Sequence, residues 1–487
     1  MAITSIEATR ETAGALRLPL WLWPALGTMA LLVANGGQLL KDPDTYWQIA
    51  VGDWIVGHHA FPHTDVFSFT MAGQPWISTS SAAQVLLAGV YHLFGWGGLV
   101  ALTALAAASA IALLTRFLSA RMAAIPALLF AVAALILAMP HMMARPHVLA
   151  MPVMVLWASN LIAAADRNDA PSFWLLPLMT LWANLHGGFV LGLALTGAMA
   201  LDAVLNASGS RRRPLALRWA AFGMLAVICC CITPYGWNSL VASYRILTLG
   251  QALPMIIEWR PMDFSTLGAF EIILLAAFGL ALWRGVTLPP LRLLMLLGLV
   301  HMALSSTRHA DALAVLAPLL LAAPLGLQIG RAESESGAGT NSTRLQLGAA
   351  AMLVAAIVVM LSAKDYAPSP QASPAAAVAA LKQQGARRVL NEYSFGGYMI
   401  ASGLPPFIDG RTELYGPDMM VRHDLALSSG DPAQLTSLLD DYEIDATLLL
   451  PSTPAAKLLD HRDGWRRLYG DDLAVVHIRK PTAAPTH

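Results

Sequence analysis

The sequence predicts a polytopic α-helical membrane protein of about eleven transmembrane helices, followed by a small extracytoplasmic α/β domain at the C-terminus. Three observations carry this. Of the 487 residues 56% are hydrophobic and only 12% charged, against about 25% charged in an average soluble domain. The apolar residues gather in blocks near the roughly 20 residues that cross a hydrocarbon core. The chain then changes character near residue 367, where apolar blocks give way to alternating helix and strand patterns.

Taken in order, the apolar stretches lie near 19–40, 98–117, 122–139, 147–165, 172–185, 188–206, 217–234, 267–284, 290–306, 309–327 and 345–363. The first is long for a cleaved signal peptide and lacks a small-x-small cleavage site, so it reads as a retained span. Residues 1–366 form the transmembrane domain, with 41–97 a long first extracytoplasmic loop carrying interfacial helices. Within that loop, Trp47, Val51, Trp54 and Ile55 make one apolar stripe at helical spacing, suited to a helix lying in the membrane plane. Residues 367–487 form the α/β domain. There "PAAAVAALKQQG" and "DPAQLTSLLDDYEI" read as helices and "RRVLNEY", "PPFIDG", "DATLLLP" and "LAVVHIRK" as short strands.

Orientation follows from basic residues in short loops. Arg10, Arg17, Arg116, Arg121, Arg167, Arg211, Arg212, Arg213, Arg218, Arg284, Arg292, Arg331 and Arg344 share one side if the N-terminus is cytoplasmic. The C-terminal domain is then periplasmic, in a multi-pass inner-membrane protein. The loop 330–344 reads as a flexible cytoplasmic link whose Asn341 sequon stays unmodified. The formal charge of zero gives no reason to expect nucleic acid as a partner. Cys229, Cys230 and Cys231 are consecutive, which rules out both a disulfide framework and a spaced metal site.

With this orientation, the polar residues that look wasteful in so apolar a chain collect at the outer side. Asp42 and Asp44 follow the first span, Arg145 and His147 the third. Asn184 and His186 follow the fifth, Glu258 and Arg260 the seventh, and Arg308, His309 and Asp311 the ninth. Ionisable groups at membrane depth are costly and mark a functional cavity, and five turns on one side are enough to build one. Each residue also has a plainer role open to it. Asp44 suits an N-cap of the helix that follows. Arg145 and Arg308 suit headgroup contacts or structural pairs, His186 an interhelical hydrogen bond, and Glu258 a pair with Arg260. His58, His59, His63 and Asp65 lack any regular zinc spacing and read as solvated loop residues. No metal ligand set, phosphate-binding glycine loop or nucleophile elbow is present.

The order of "DPDTYWQIAVGDWI", "FPHTDVFSFT", "PWISTS", "RPH", "WANLHGG", "PYG", "EW", "TRHA", "FGGYMI" and "IDGRTELYG" resembles the GT-C superfamily of integral-membrane glycosyltransferases, in a bacterial multi-span branch. The chain departs from the pattern after "PWIS", where Ser80 and Ser81 replace an aromatic and an acidic residue. The resemblance implies a GT-C-like fold and transfer of a sugar from a polyprenyl-phosphate-linked donor to a glycan, lipid or protein acceptor outside the cytoplasm. It also implies inversion at the sugar carbon and an acidic residue after the first span as base or metal ligand, which falls on Asp44 or Asp42. No cofactor follows from a motif; a divalent metal is left open.

A phosphate is already a good leaving group, so one carboxylate suffices to deprotonate the acceptor while cations stabilise the departing charge. Arg145, His147, Arg308 and His309 are the candidates for the donor phosphate, since a guanidinium can grip phosphate oxygens bidentately. Asn184, His186, Glu258, Asp409 and Arg411 are candidates for holding substrate, with a pair between Asp409 and Arg411 bracing the turn at Gly410 as the plainer role of the last two. Two other readings stand beside this one. A transporter of lipid-linked sugars would place its site at the bilayer midplane between repeated halves, and no repeat shows. A non-catalytic partner in envelope-glycan assembly would use the outer domain for protein contacts.

Overall fold

A computed structural model describes residues 18–247, 257–329 and 340–480. Arg10, Arg17 and Arg331, used above for orientation, and most of the polar 330–344 link lie outside the described residues. The helices in the first three quarters of the chain are α1 (Leu22–Ala34), α2 (Gly36–Leu39), α3 (Asp44–His58), α4 (Ser81–Ser119), α5 (Ala124–Ala138), α6 (Pro146–Asp166) and α7 (Leu176–Leu185). They continue as α8 (Phe189–Asn206), α9 (Gly209–Cys230), α10 (Asn238–Leu247), α11 (Ala269–Arg284), α12 (Pro290–Ser305), α13 (Ala310–Ile329) and α14 (Thr340–Ala363). After them come α15 (Ala375–Gln384), α16 (Gly396–Ala401), α17 (Thr412–Ser428), α18 (Pro432–Asp441) and α19 (Pro454–Asp460).

Each expected apolar stretch coincides with a helix. Among the described residues, seven helical segments are long and apolar enough to cross a membrane; Leu22–Ala34, Phe173–Leu185 and Pro290–Ser305 are apolar but shorter. Two boundaries differ from expectation for a physical reason. The first stretch is cut after Ala34, where Asn35 folds its amide back onto the Leu31 carbonyl and two glycines follow. The second expected span is the distal part of α4, a 39-residue helix bent at Gly95. Gly95 has φ +60° and ψ −155°, a conformation open to glycine and closed to residues with a Cβ.

The core is organised around α6, which packs against α4, α7, α8 and α13. Trp157 of α6 is fully buried and donates its indole N–H to the Gly192 carbonyl of α8 at 3.0 Å. At the C-terminal end of α6, Arg292 donates to Asp166 (2.5 Å) and Asp202 (3.1 Å), and Arg121 lies 3.6 Å from Asp166. Arg121 and Arg292, loop charges by sequence, lie in a partly buried ion cluster tying α4, α6, α8 and α12 together, because burial demands a counter-charge.

The C-terminal portion carries a four-stranded sheet, β1 (Val389–Asn391), β2 (Ala446–Leu449), β3 (Trp465–Gly470) and β4 (Val475–Arg479), in the order β1-β2-β4-β3. β1 and β2 are parallel, with Val389 opposite Ala446, and are joined through α16, α17 and α18. β4 runs antiparallel to β2 and β3. "PPFIDG", expected as a strand, makes only one bridge, from Pro406 to Val389; two consecutive prolines supply no N–H to a ladder. "WRRLYG" forms β3 instead.

This portion is fastened to the first loop. Phe69 donates its N–H to the Pro406 carbonyl and Thr70 its hydroxyl to the Phe407 carbonyl at 2.6 Å. The Tyr46 hydroxyl lies 2.6 Å from that of Ser373, and α16 packs on α3.

Candidate functional site

The site is assembled where the loops preceding α3, α6 and α13 meet. Asp42 receives the backbone N–H of Asp44 on Oδ1 at 2.8 Å. Asp44 is therefore the first residue of α3 and not its cap: the cap position is Pro43, which makes no side-chain cap bond, and Asp42 just before it supplies the acceptor for the first helical N–H. The Asp44 carboxylate is directed elsewhere.

Arg145 explains the direction. It precedes Pro146, which forces extended backbone (φ −128°, ψ 156°) and throws the guanidinium clear of the helix end. The strand of chain carrying it is pinned by Ala144 N–H to the Leu39 carbonyl (2.8 Å) and by the Thr45 hydroxyl to the Ala144 carbonyl (3.2 Å). All three nitrogens of Arg145 then face carboxylates. Nε lies 2.6 Å from Asp42, Nη1 donates to Glu258 at 2.5 Å, and Nη2 donates to Asp44.

Glu258 sits in a short turn, Ile257–Trp259, whose position is set by the chain before α13: the hydroxyls of Ser306 and Thr307 both donate to the Glu258 carbonyl. Its second carboxylate oxygen accepts from Arg308 at 3.3 Å. Arg308 lies over the Trp259 ring and 3.5 Å from Nε2 of His186. His186 in turn accepts the Gly188 N–H on Nδ1 at 3.1 Å. His147 lies with its ring 6.1 Å from that of His186 and Nε2 3.9 Å from Asp311, while Asp311 is 3.3 Å from His141.

The electrostatics follow from three carboxylates around one guanidinium in a desolvated place. Burial pushes Asp42 up to about 6, against the opposing pull of Arg145. At Glu258 burial acts upward but is outweighed by Arg145 and Arg308, which hold it at about 2. Of the two arginines, Arg308 is the more open, with 35% of its side chain exposed against 15% for Arg145.

Asp42, Asp44, Arg145, His147, His186, Glu258 and Arg308 are thus brought together from segments far apart in sequence. Arg145 is occupied by carboxylates on every nitrogen, so it organises the acidic groups instead of presenting a free edge to phosphate. His309 hydrogen-bonds the Met302 carbonyl and packs on Trp259, behind Arg308. Asn184 donates to the carbonyls of Thr180 and Ile232 and braces the end of α7.

Asp409 and Arg411 are not open to a ligand either. Arg411 donates to Asp409 (2.7 and 2.8 Å) and to Asp65 (2.5 Å), and all three side chains are fully buried. The guanidinium is also sandwiched near Trp76 and Phe67, at 4.8 and 5.2 Å. Asp65, read as a solvated loop residue, is the partner that joins the first loop to the C-terminal portion; the neighbouring His58, His59 and His63 are exposed as expected.

Gly410 and Glu413, both within "IDGRTELYG", and Tyr393, which no motif points to, also border this region. Gly410 abuts Asp44, leaving no space for a Cβ. Glu413 accepts the Trp76 indole N–H at 3.1 Å, and burial raises its carboxyl. Tyr393 is bonded to Thr412 at 2.9 Å. The motif marks Gly410 and Glu413, but their contacts, like that of Tyr393, are decided only by the folding of residues 391–415 over the first loop.

A divalent ion, left open by the resemblance, does not suit this donor set as arranged. Asp42, Asp44 and Glu258 all face Arg145, and no three His, Cys, Asp or Glu side chains among the described residues are grouped to share a metal.

No family model and no curated protein matches the chain. Solved structures do. The oligosaccharyltransferase of Archaeoglobus fulgidus, in its apo form, is similar over 88% of this chain and 69% of its own, with a TM-score of 0.50 and 11% identity. ArnT from Cupriavidus metallidurans, bound to undecaprenyl phosphate, is similar over 96% of this chain and 99% of its own, with a TM-score of 0.50 and 12% identity. The fold is that of the GT-C glycosyltransferases. At these identities the likeness speaks of architecture alone.

Proposed function

We propose that the protein is a membrane glycosyltransferase, moving a sugar from a polyprenyl-phosphate-linked donor to a glycan, lipid or protein acceptor at the extracytoplasmic face of the inner membrane. The observation that carries this reading is the partly buried Asp42–Asp44–Arg145–Glu258–Arg308 cluster at one end of a GT-C helical body. A solved structure of the same fold holds undecaprenyl phosphate, which favours a lipid phosphate as the donor's leaving group.

Asp44 is the base. Asp42 accepts the Asp44 N–H ahead of the helix and, with its carboxyl near 6, holds a proton at the acid end of the physiological range, whereas Asp44 is bonded to Arg145 through Oδ2 and turns Oδ1 to the acceptor. The acceptor hydroxyl gives its proton to Asp44 as its oxygen bonds to the sugar carbon, and the bond from that carbon to the phosphate oxygen breaks. Arg308, the more exposed cation, stabilises the departing phosphate, with His186 and His147 beside it. Arg145 positions the carboxylates. A single displacement of this kind inverts the sugar carbon.

The test is lipid extraction from cells lacking the protein and from the same cells carrying wild type or Asp44→Asn. A polyprenyl-phosphate-linked sugar is expected to accumulate in the deletion and with Asp44→Asn, and to fall with wild type. Unchanged lipid pools together with an unchanged surface glycan would overturn the reading.

A further inference from the structure

A second polar concavity lies at the other end of α6, remote from the proposed transfer site. It is a cavity of about 110 Å³ lined by Asn168, Asp169, Arg211, Pro214, Leu215 and Arg218. The four α9 residues stand at spacings of three, one and three, which puts them on a single helix face. Arg212, between them, is turned away and bonded to the carbonyls of Leu205 and Ala207.

The walls have complementary chemistry. Arg218 pairs with Asp169 at 2.7 Å in a half-exposed bridge. Arg211 makes no side-chain hydrogen bond or ion pair among the described residues. Asn168 follows the end of α6 in a left-handed conformation, φ +50°, and its Oδ1 is buried with no hydrogen-bond donor. An unpartnered buried acceptor is unfavourable by roughly 1–3 kcal/mol, and a ligand bringing a donor removes that cost. Two arginines against one aspartate leave the cavity cationic.

Position selects the ligand. The cavity opens where two segments able to cross a membrane, Pro146–Asp166 and Gly209–Cys230, emerge. Exposed apolar side chains flank its walls in the chain: Leu217 precedes Arg218, and Phe173, packed on Phe222 of α9, precedes Trp174, which is 91% exposed. Exposed tryptophan of this kind sits at headgroup level, and basic pockets between spans bind anionic headgroups.

We propose that this cavity binds the headgroup of a phospholipid that carries a hydrogen-bond donor beside its phosphate, as phosphatidylglycerol does. Arg211 and Arg218 hold the phosphate diester, and Asn168 Oδ1 accepts from a headgroup hydroxyl. The proposal does not depend on the transferase reading.

Binding of dioleoyl phosphatidylglycerol and dioleoyl phosphatidylcholine to the purified full-length chain in detergent tests it, by native mass spectrometry alongside thermal unfolding. The wild type should prefer phosphatidylglycerol. Arg211→Gln, at an exposed position, should weaken that binding about fivefold, on the scale of one arginine at an anionic surface. Asn168→Gly, which keeps the backbone conformation, should reduce the preference over phosphatidylcholine without lowering the lipid-free melting temperature, since the orphaned acceptor goes with the side chain. Equal binding of the two lipids by wild type, or unchanged phosphatidylglycerol binding by both variants, would overturn the proposal. So would protection by soluble glycerol 3-phosphate equal to that by the lipid, which would assign the cavity to a free phosphate.

Discussion

Gly410 packs directly against the carboxylate of Asp44: a Cβ built on Gly410 would collide with Oδ1, Cγ and Oδ2 of that residue. The C-terminal portion thus forms one wall of the proposed site, and its Asp409–Arg411–Asp65 ion cluster holds that wall in place. Gly410→Ala is expected to displace Asp44 and abolish sugar transfer while the protein still inserts and melts cooperatively. Lipid extracts from complemented cells, read beside the melting curve of the purified variant, check this.

Arg145 is the shared counter-ion of three carboxylates. Arg145→Ala leaves buried negative charges without compensation, a loss of about 3–5 kcal/mol for a buried pair. A large drop in melting temperature is expected, with partial recovery in Arg145→Ala combined with Asp42→Asn, since one uncompensated charge is then removed. Thermal unfolding of the three proteins at pH 7 measures it.

The same cluster sets a pH dependence. Asp42 is raised from 3.8 to about 6, so the folded state binds its proton more tightly than the unfolded chain. Its contribution to stability is complete below pH 3.8 and is lost as pH rises through about 6. Glu258, lowered from 4.5 to about 2, acts in the opposite sense: its contribution is present above pH 4.5 and lost as pH falls through about 2. Between about pH 4.5 and 6 Asp42 dominates, and stability should decline with rising pH. Asp42→Asn should flatten that slope in a pH series of melting temperatures.

The buried Arg411 makes a separate prediction about folding. Arg411→Met strands Asp65 and Asp409 in an apolar setting and should destabilise the contact between the first loop and the C-terminal portion by several kcal/mol. Limited proteolysis should then release residues beyond about 367 faster than in wild type.

Orientation is tested with Cys229, Cys230 and Cys231 replaced by alanine and single cysteines introduced at exposed positions. Ser429→Cys should react in intact cells with a membrane-impermeant maleimide, and Ser210→Cys only after permeabilisation. The reverse pattern would place the proposed site on the cytoplasmic side.

What the amino-acid sequence determined by itself is the helical body and the residues that burden it. Apolar run length decides where helices lie, since a backbone in lipid must satisfy its own hydrogen bonds. Charge cost decides which residues stand out, which is why Asp42, Asp44, Arg145, Glu258 and Arg308 could be singled out without coordinates. Their division of labour belonged to the tertiary structure. That Arg145 serves Asp42, Asp44 and Glu258 together, and that Arg411 reaches back to Asp65 across 346 residues of chain, depend on contacts between distant segments. Local pattern is blind to such contacts, because side-chain direction and the partners available in a desolvated space are decided only when the segments pack.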